Sequence, residues 1–349
     1  MSTTINLTAN ASNATSRPTI DPAFADYWNK SHWIDFSCRI ILVTFGLTLT
    51  VLGLISIYRA KGLQPYGFVR ILYSMFLCML VNKLLVMVFD IIQWGHRYHW
   101  PMGDALCRIH NFLSEAMEGA ISYQLLMVSG YMVLAIKRPT WTQLLDTKKG
   151  ANIFLGVFWF LVVAFNAEAL GSSSTRDYES FTTCWARGRT RTHWRIIVYG
   201  YILFLMYVPW FLLAGMAGYL YYYYRSQIGV QYYRTDGGSR GNARDNFRLS
   251  TAFAAMFTFC RGPLIIVYTR WVLGYWTFHW NIAFWFTMDL MFFLYDVYSA
   301  VLPLFFLLFL SDLRFEARCL LSTMTGRAPP AYSKELSDTK GTEDESNLI

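Results

Sequence analysis

The sequence predicts an all-α membrane protein, a bundle of seven transmembrane helices with a short amphipathic helix after the seventh. Of its 349 residues, 55% are hydrophobic and only 15% are charged, whereas charged residues make up about 25% of a soluble domain. A helix needs about 20 apolar residues to cross a bilayer core of about 30 Å. Seven windows meet this requirement, at residues 36–58, 69–93, 104–137, 151–170, 195–225, 248–273 and 281–310. An odd number of crossings puts the two termini on opposite sides of the membrane.

Two features orient the chain with its N-terminus outside the cell. Glycosylation sequons crowd the first 31 residues, at Asn6, Asn10, Asn13 and Asn29, and a sequon is used only where it reaches the secretory lumen. Lys and Arg are concentrated in the loops that this orientation places in the cytoplasm, as the positive-inside rule requires. We therefore expect a multi-pass plasma-membrane protein with an extracellular segment at 1–35, a membrane domain at 36–322 and a disordered cytoplasmic tail at 323–349.

The net charge of +8 indicates anionic membrane lipid as a partner and requires no nucleic acid, because most of it lies in predicted cytoplasmic loops. One outer loop departs from this distribution, since residues 176–195 carry five arginines. Such a loop would attract an acidic extracellular ligand, for example an acidic peptide or protein or a glycosaminoglycan. The alternative is a solvated loop whose arginines pair with Asp177 and Glu179.

The six cysteines include no CxxC pair, which argues against a zinc or redox motif. Cys38, Cys78 and Cys260 fall in or near apolar windows, where we expect small buried thiols. Cys107 and Cys184 both fall on the predicted outer side, where an oxidising compartment permits a disulfide. We predict that these two cysteines bond and thereby pin the loop after the fourth helix over the mouth of the bundle.

Several short motifs follow one another in a recognisable order. Trp100, Gly103 and Cys107 precede the third helix, "YMVLAIKRP" ends it at residues 131–139, and "FCRGP" occupies residues 259–263 of the sixth helix. Single matches are Trp159 in the fourth helix, Pro209 in the fifth and Pro303 in the seventh. In this order and spacing, the chain resembles the rhodopsin-like (class A) G protein-coupled receptors over about residues 36–322.

The resemblance implies a receptor that binds an extracellular ligand between its helices and shifts its sixth helix to engage a cytoplasmic transducer. A heterotrimeric G protein and an arrestin are the partners it implies, with Tyr131, Met132 and Arg138 as candidate transducer contacts. It also implies that Trp100 packs the first outer loop at the membrane interface. "SDLRFEARCLL", residues 311–321, is similar to the family's membrane-surface helix and suggests Cys319 as a palmitoylation site.

Departures from the family pattern fall on its activation motifs. Met132 stands where the family has the arginine of its third-helix triplet, so the usual ionic lock cannot form. Asn82 stands for the second-helix aspartate, and Leu302 and Phe306 for the asparagine and tyrosine of the seventh-helix motif. We interpret these losses as altered coupling, either constitutive or silent, of a kind found in rapidly diverging and virus-encoded members.

Arg261 takes the place of the family's toggle tryptophan, deep in the sixth helix. An unpaired arginine there costs at least about 2.5 kcal/mol, so we expect an acidic partner. Our hypothesis is a buried pair between Glu118 and Arg261, with Glu115, one turn earlier on the same face, and Asp296 nearer the ligand cavity. The alternative is that these charges only pair with each other and hold the bundle together.

The predicted tail contains "PPAY", in which Pro329, Pro330 and Tyr332 fit the ligand of WW domains. This motif would recruit a WW-bearing ubiquitin ligase. Five serines and threonines among acidic residues would form an arrestin-binding surface when phosphorylated, and the alternative is an acidic solubilising tail.

No catalytic constellation, metal-ligand cluster or phosphate-binding loop occurs in the sequence, so we predict neither an enzyme nor a bound cofactor or metal. A second hypothesis is a non-signalling decoy or trafficking adaptor that uses the PPAY motif to recruit a ubiquitin ligase. A transporter ranks third, because no internal repeat accompanies the intramembrane charges.

Overall fold

The computed structural model describes residues 22–60, 66–96, 100–178, 181–186, 199–200, 202–226, 243–272 and 282–326. The α-helices are α1 (Pro22–Arg59), α2 (Tyr66–Val81), α3 (Met87–Gly95), α4 (Gly103–Lys137), α5 (Pro139–Asp146), α6 (Lys148–Ser172), α7 (Val208–Ser226), α8 (Ala243–Met256), α9 (Gly262–Val272), α10 (Ile282–Phe309) and α11 (Ser311–Met324). Two antiparallel strands, β1 (Ser173–Tyr178) and β2 (Phe181–Ala186), follow α6.

Among the described residues, seven helices are long and apolar enough to cross a membrane. They are Trp33–Arg59, Gly67–Gly95, Gly103–Lys137, Lys148–Ser172, Ile202–Tyr223, Phe247–Val267 and Leu290–Phe309, called spans 1 to 7 below. The chain is therefore a multi-pass membrane protein, and the predicted seven-helix bundle is confirmed. The predicted short helix after the seventh span is α11.

Three spans contain π-helical turns, at Asn82–Val86 in span 2, Ile202–Tyr207 in span 5 and Phe257–Arg261 in span 6. Each turn holds an extra residue, which rotates the following part of the helix relative to the preceding part. In span 2 the consecutive residues Asn82 and Lys83 are both buried. In span 6 Cys260 and Arg261 are both buried.

Span 3 occupies the centre of the bundle and contacts spans 2, 4, 5 and 6. The most apolar 18-residue window of span 3 is 61% buried, against 17% for span 4. The reason lies in the side chains, because span 3 presents small and polar residues such as Ala120, Ser122 and Ser129 to its neighbours, and such residues let membrane helices approach closely. Span 4 instead exposes large apolar residues, among them Phe160 and Phe165, that suit a lipid-facing surface.

Ser74 joins three spans through one hydroxyl group. Its oxygen accepts hydrogen bonds from Gln124 Nε2 of span 3 at 2.8 Å and from Trp159 Nε1 of span 4 at 3.1 Å. Within a membrane such bonds matter, because a polar group without a partner has no water to bind.

The two ends of the bundle carry different connections. At one end, called the disulfide end, the β1–β2 hairpin follows span 4. At the other, called the α11 end, α5 connects spans 3 and 4, and α11 packs through buried Leu313 and Ala317 against spans 1 and 7. Arg59 Nε of span 1 lies 3.9 Å from Glu316 Oε2 of α11.

One detail of the chain differs from the sequence expectations, because the loop after the fourth span contains a β-hairpin that the apolar patterning did not indicate. Helix α1 begins at Pro22, but its membrane-capable part, Trp33–Arg59, starts close to the expected residue 36.

Candidate functional site

A disulfide between Cys107 of span 3 and Cys184 of strand β2 holds the hairpin at the disulfide end, with the two Cα atoms 5.4 Å apart. Thr175 lies opposite Cys184 in the hairpin, and its backbone N–H donates to Asp104 Oδ1 at 2.8 Å. Asn111 Nδ2 lies 3.2 Å from Cys184 Sγ. Both strands are therefore fastened to the first two turns of span 3.

Trp100 packs in the protein core at the disulfide end. It is 2% exposed, and its Nε1 donates to the carbonyl oxygen of Gly103 at 2.8 Å. Its ring packs on Phe89 and His110, with centroids 6.4 and 5.2 Å away. Gly103 adopts a φ of 75°, a conformation that glycine reaches without strain.

His110 connects span 3 to span 2 below Trp100. Its Nε2 lies 3.0 Å from Asp90 Oδ1, whereas its Nδ1 is buried without a hydrogen-bond partner in the described part of the chain. Trp100, His110 and Asp90 thus form one layer between the hairpin and the deeper polar groups.

The guanidinium of Arg261 lies at the centre of the bundle and is 1% exposed. It forms an ion pair with Glu118 of span 3, and its Nη1 donates to Ser122 Oγ at 2.9 Å. On its other sides the guanidinium carbon faces aromatic rings of Phe257, Tyr295 and Tyr298, at 5.3, 5.2 and 5.9 Å from the ring centroids. Cation–π contacts of this kind favour a charged group where water is absent.

Asp296 pairs with a residue that the sequence analysis did not single out. Arg39 Nη1 of span 1 lies 2.6 Å from Asp296 Oδ2 of span 7, and Arg39 Nε lies 2.7 Å from Asp35 Oδ2. The Arg39 guanidinium also stacks on Trp94 of span 2, 3.6 Å from the ring centroid. Asp296 is therefore bound to span 1, and the acidic partner of Arg261 is Glu118.

Lys83 is a third buried cation, 1% exposed. Its Nζ donates to Ser299 Oγ of span 7 at 2.6 Å, and Asn82 Nδ2 lies 3.4 Å from the same oxygen. Residues 295–299 of span 7 thus meet cations from spans 1, 2 and 6, over little more than one helical turn.

Glu115 is half-buried and lies one turn from the Arg261 pair toward the disulfide end. Its electrostatic neighbour is Glu168 of span 4, so it faces a like charge. The four candidate residues are Glu115, Glu118, Arg261 and Asp296. Glu115 lies near span 4, and among the described residues it is the one of the four without a salt bridge.

The candidate transducer contacts differ in exposure at the α11 end. Arg138 is exposed, whereas Tyr131 and Met132 are buried, at 6% and 3% exposure. Tyr131 is held by Asp146 at the end of α5. Only Arg138 is therefore available to a partner in this conformation.

Several candidate residues lie outside the described residues or on elements far from this centre. Asn6, Asn10, Asn13, Pro329, Pro330 and Tyr332 fall outside the described residues, as do residues 187–195 of the basic loop. Asn29 lies in α1, and Cys319 lies half-buried on α11. Cys78 and Cys260 are buried as expected, whereas Cys38 is only partly buried.

The chain is distantly similar to a known receptor. No family model matches the chain. Over 138 residues the chain is 24% identical to free fatty acid receptor 3 of Rattus norvegicus, a stretch that covers 40% of this chain and 43% of the relative. The match thus spans less than half the length of that receptor. The chain thus combines seven membrane-capable helices with a distant relative that is a receptor.

The sequence carried a signal for the residues that were missed. Arg39, Lys83 and Asp90 are charged positions inside apolar windows, and an ionisable residue within a membrane helix is expected to have a function or a partner. Among the described residues, no group of three His, Cys, Asp or Glu side chains is arranged to hold a metal ion.

Proposed function

We propose that the protein is a rhodopsin-like receptor that binds an extracellular ligand at the disulfide end and signals to a cytoplasmic transducer at the α11 end. The observation that carries this proposal is the disulfide that fastens the β1–β2 hairpin to span 3 in a seven-span bundle. A hairpin held in this way shapes the entrance of the bundle. Below it, buried polar contacts join span 3 to span 6 and spans 1 and 2 to span 7.

The ligand we propose is an anion. Five arginines in residues 176–195 attract negative charge, and the relative is named for free fatty acids. Free fatty acids and acidic peptides are therefore the first two ligand classes to test. A receptor that responds to cationic amines and to neither anion class would contradict this part of the proposal.

Coupling is proposed to differ from that of receptors with an arginine in the third-helix triplet. Met132 provides no charge, and Tyr131 is bound to Asp146, so Lys137 and Arg138 are the exposed cations at the end of span 3. The transducer we propose is a heterotrimeric G protein, with arrestin following phosphorylation of the tail.

The decisive experiment measures G-protein activation by the full chain in cells, across the G-protein families and without added ligand. Constitutive activation above cells that carry empty vector supports the receptor. A matched variant, Arg138→Gln, should reduce the signal at equal surface expression. Absence of activation by the wild-type chain, with and without the two ligand classes, would reject signalling through G proteins.

A non-signalling decoy or trafficking adaptor is the second candidate, and the burial of Tyr131 and Met132 favours it. The Met132→Arg variant separates the two candidates. A signal that appears only in this variant, or in neither chain, supports the adaptor, whereas a signal already present in the wild-type chain supports the receptor.

The proposed topology has its N-terminus outside the plasma membrane. Asn6, Asn10, Asn13 and Asn29 are then glycosylation sites, and Cys319 is a palmitoylation site on α11. Glycosidase digestion of surface-labelled protein tests the glycosylation sites. Thioester-specific labelling of the wild-type chain and of Cys319→Ser tests the palmitoylation site.

In the cytoplasmic tail, Pro329, Pro330 and Tyr332 would bind a WW-domain ubiquitin ligase. Tyr332→Ala should abolish this binding in a pull-down.

A further inference from the structure

The guanidinium of Arg261 has its polar partners on one side only. Glu118 and Ser122, both of span 3, bind its terminal nitrogens. Its Nε–H is buried and has no hydrogen-bond partner in the described part of the chain. Toward span 7 it meets the rings of Tyr295 and Tyr298.

The hydroxyl of Tyr298 is a second buried group without a hydrogen-bond partner among residues that the structure describes. Tyr298 is 2% exposed, and it lines the same small pocket as Arg261, Glu118 and Ser299. Arg261 and Tyr298 therefore line one small pocket, and each carries a buried polar group that has no hydrogen-bond partner among the described residues. An unpaired buried group of this kind costs free energy.

We propose that Arg261 has two seats, the observed one on Glu118 and Ser122 and a second one in which it donates to the Tyr298 hydroxyl. In the second seat, a hydrogen bond between Arg261 and Tyr298 of span 7 replaces the polar contacts that Arg261 makes with span 3. The proposal goes beyond the proposed receptor function, because it depends on neither the ligand nor the transducer.

Two features of the helices confine the movement of Arg261 to span 6. Arg261 ends the π-helical turn Phe257–Arg261, and such turns frequently mark functional sites in helices. Span 7 is held separately, because Asp296 is bound by Arg39 and Ser299 by Lys83. Tyr298 therefore keeps its place on span 7 when the guanidinium moves.

The first test is the effect of Tyr298→Phe on the apparent Tm of the full chain in detergent. In the observed seat the hydroxyl is unpaired, so its removal should raise Tm. Tyr207→Phe is the matched control, because its hydroxyl shares a hydrogen bond with Thr269 Oγ1 at 3.1 Å, and its removal should lower Tm. A fall in Tm for Tyr298→Phe similar to that of the control would show that the hydroxyl is already paired, which contradicts the unpaired group from which the proposal starts.

The second test repeats the Tyr298 substitution in a Glu118→Gln background. Without the carboxylate, Arg261 should occupy the second seat, and Tyr298→Phe should then lower Tm instead of raising it. An equal rise in both backgrounds would show that Arg261 never reaches Tyr298. If Glu118→Gln does not fold, Ser122→Ala provides the background, because it removes the other span 3 partner. Tyr298→Phe should then raise Tm less than it does in the wild-type chain, and an equal rise would contradict the second seat.

Discussion

Tyr131 and Asp146 tie the end of span 3 to the end of α5, with the tyrosine hydroxyl 3.0 Å from each carboxylate oxygen. Asp146 Oδ1 also accepts the backbone N–H of Gly67 at 3.2 Å, so the start of span 2 joins the same carboxylate. Burial raises the pKa of Asp146, and the hydrogen bonds from Tyr131 and Gly67 offset part of this rise. Three segments at the α11 end thus depend on one side chain.

Replacing Asp146 by Asn should raise Tm at neutral pH. The folded-state pKa of Asp146 is raised above its unfolded value of about 3.9. The stability that this carboxyl contributes is therefore fully present below that unfolded pKa. It is lost as the pH rises through the folded-state pKa. An amide of the same shape keeps a carbonyl acceptor without the charge. The advantage of Asp146→Asn should shrink as pH falls toward about 4, which a series of Tm measurements against pH would show. A lower Tm for the variant at neutral pH would contradict this reasoning.

Tyr131→Phe should lower stability at neutral pH, because it removes a hydrogen bond to an ionised acceptor, worth about 1.5–3 kcal/mol where it is buried. The Tyr131→Phe effect should largely disappear in the Asp146→Ala background, since the acceptor is then gone. Equal losses in both backgrounds would mean that the hydroxyl acts elsewhere.

Removing Arg39 should be severe, about 3–5 kcal/mol, because Asp296 then stays buried without its ion-pair partner, whereas removing Asp296 should cost less because Arg39 also pairs with Asp35. Arg39→Met and Asp296→Asn should each lower Tm, whereas the double variant should lose less than the sum of the two single losses. Arg108→Met is the control, because the Arg108–Asp104 pair is exposed and is worth at most about 1 kcal/mol. Additive losses at Arg39 and Asp296 would exclude a direct coupling.

Gly46→Ala should loosen the contact between spans 1 and 7. A Cβ at this position would lie 2.9 Å from Ala300 Cα, a backbone atom that cannot move aside. Overpacking of this kind typically costs about 1–3 kcal/mol. Gly156→Ala should be neutral or stabilising by up to about 1 kcal/mol, because nothing lies within 4 Å of its Cβ. Thermal denaturation of both variants in the same detergent compares them directly, and a destabilised Gly156→Ala would contradict the exposed position of that residue.

Removing the disulfide with Cys107→Ser and Cys184→Ser should lower stability by about 2–5 kcal/mol. Treating the wild-type chain with a reductant should reproduce the loss, and the reductant should not change the Tm of the double variant. Cys38→Ser, at a partly buried free thiol, serves as the control with little expected effect. A wild-type Tm that is insensitive to full reduction would mean that hydrogen bonds alone hold the hairpin.

The number and approximate bounds of the spans followed from the sequence, because lipid requires a continuous apolar helix of fixed minimum length. The placement of Cys107 and Cys184 at one end followed from the same count. Arg261 and Glu118 could also be put forward as a pair, since an arginine in a membrane helix requires an acidic partner and Glu118 is an acidic residue on span 3.

Which of the remaining charges meet was decided only by the tertiary structure. Arg39 and Asp296 are 257 residues apart in sequence, and no periodicity relates the rotation of one helix to that of another. The π-helical turn at Asn82–Val86 also changes which face of span 2 points inward, so a regular 3.6-residue repeat cannot predict that Lys83 reaches Ser299. Sequence thus determined which segments enter the membrane, whereas helix rotation and packing determined which buried side chains find each other, because those depend on contacts made between spans.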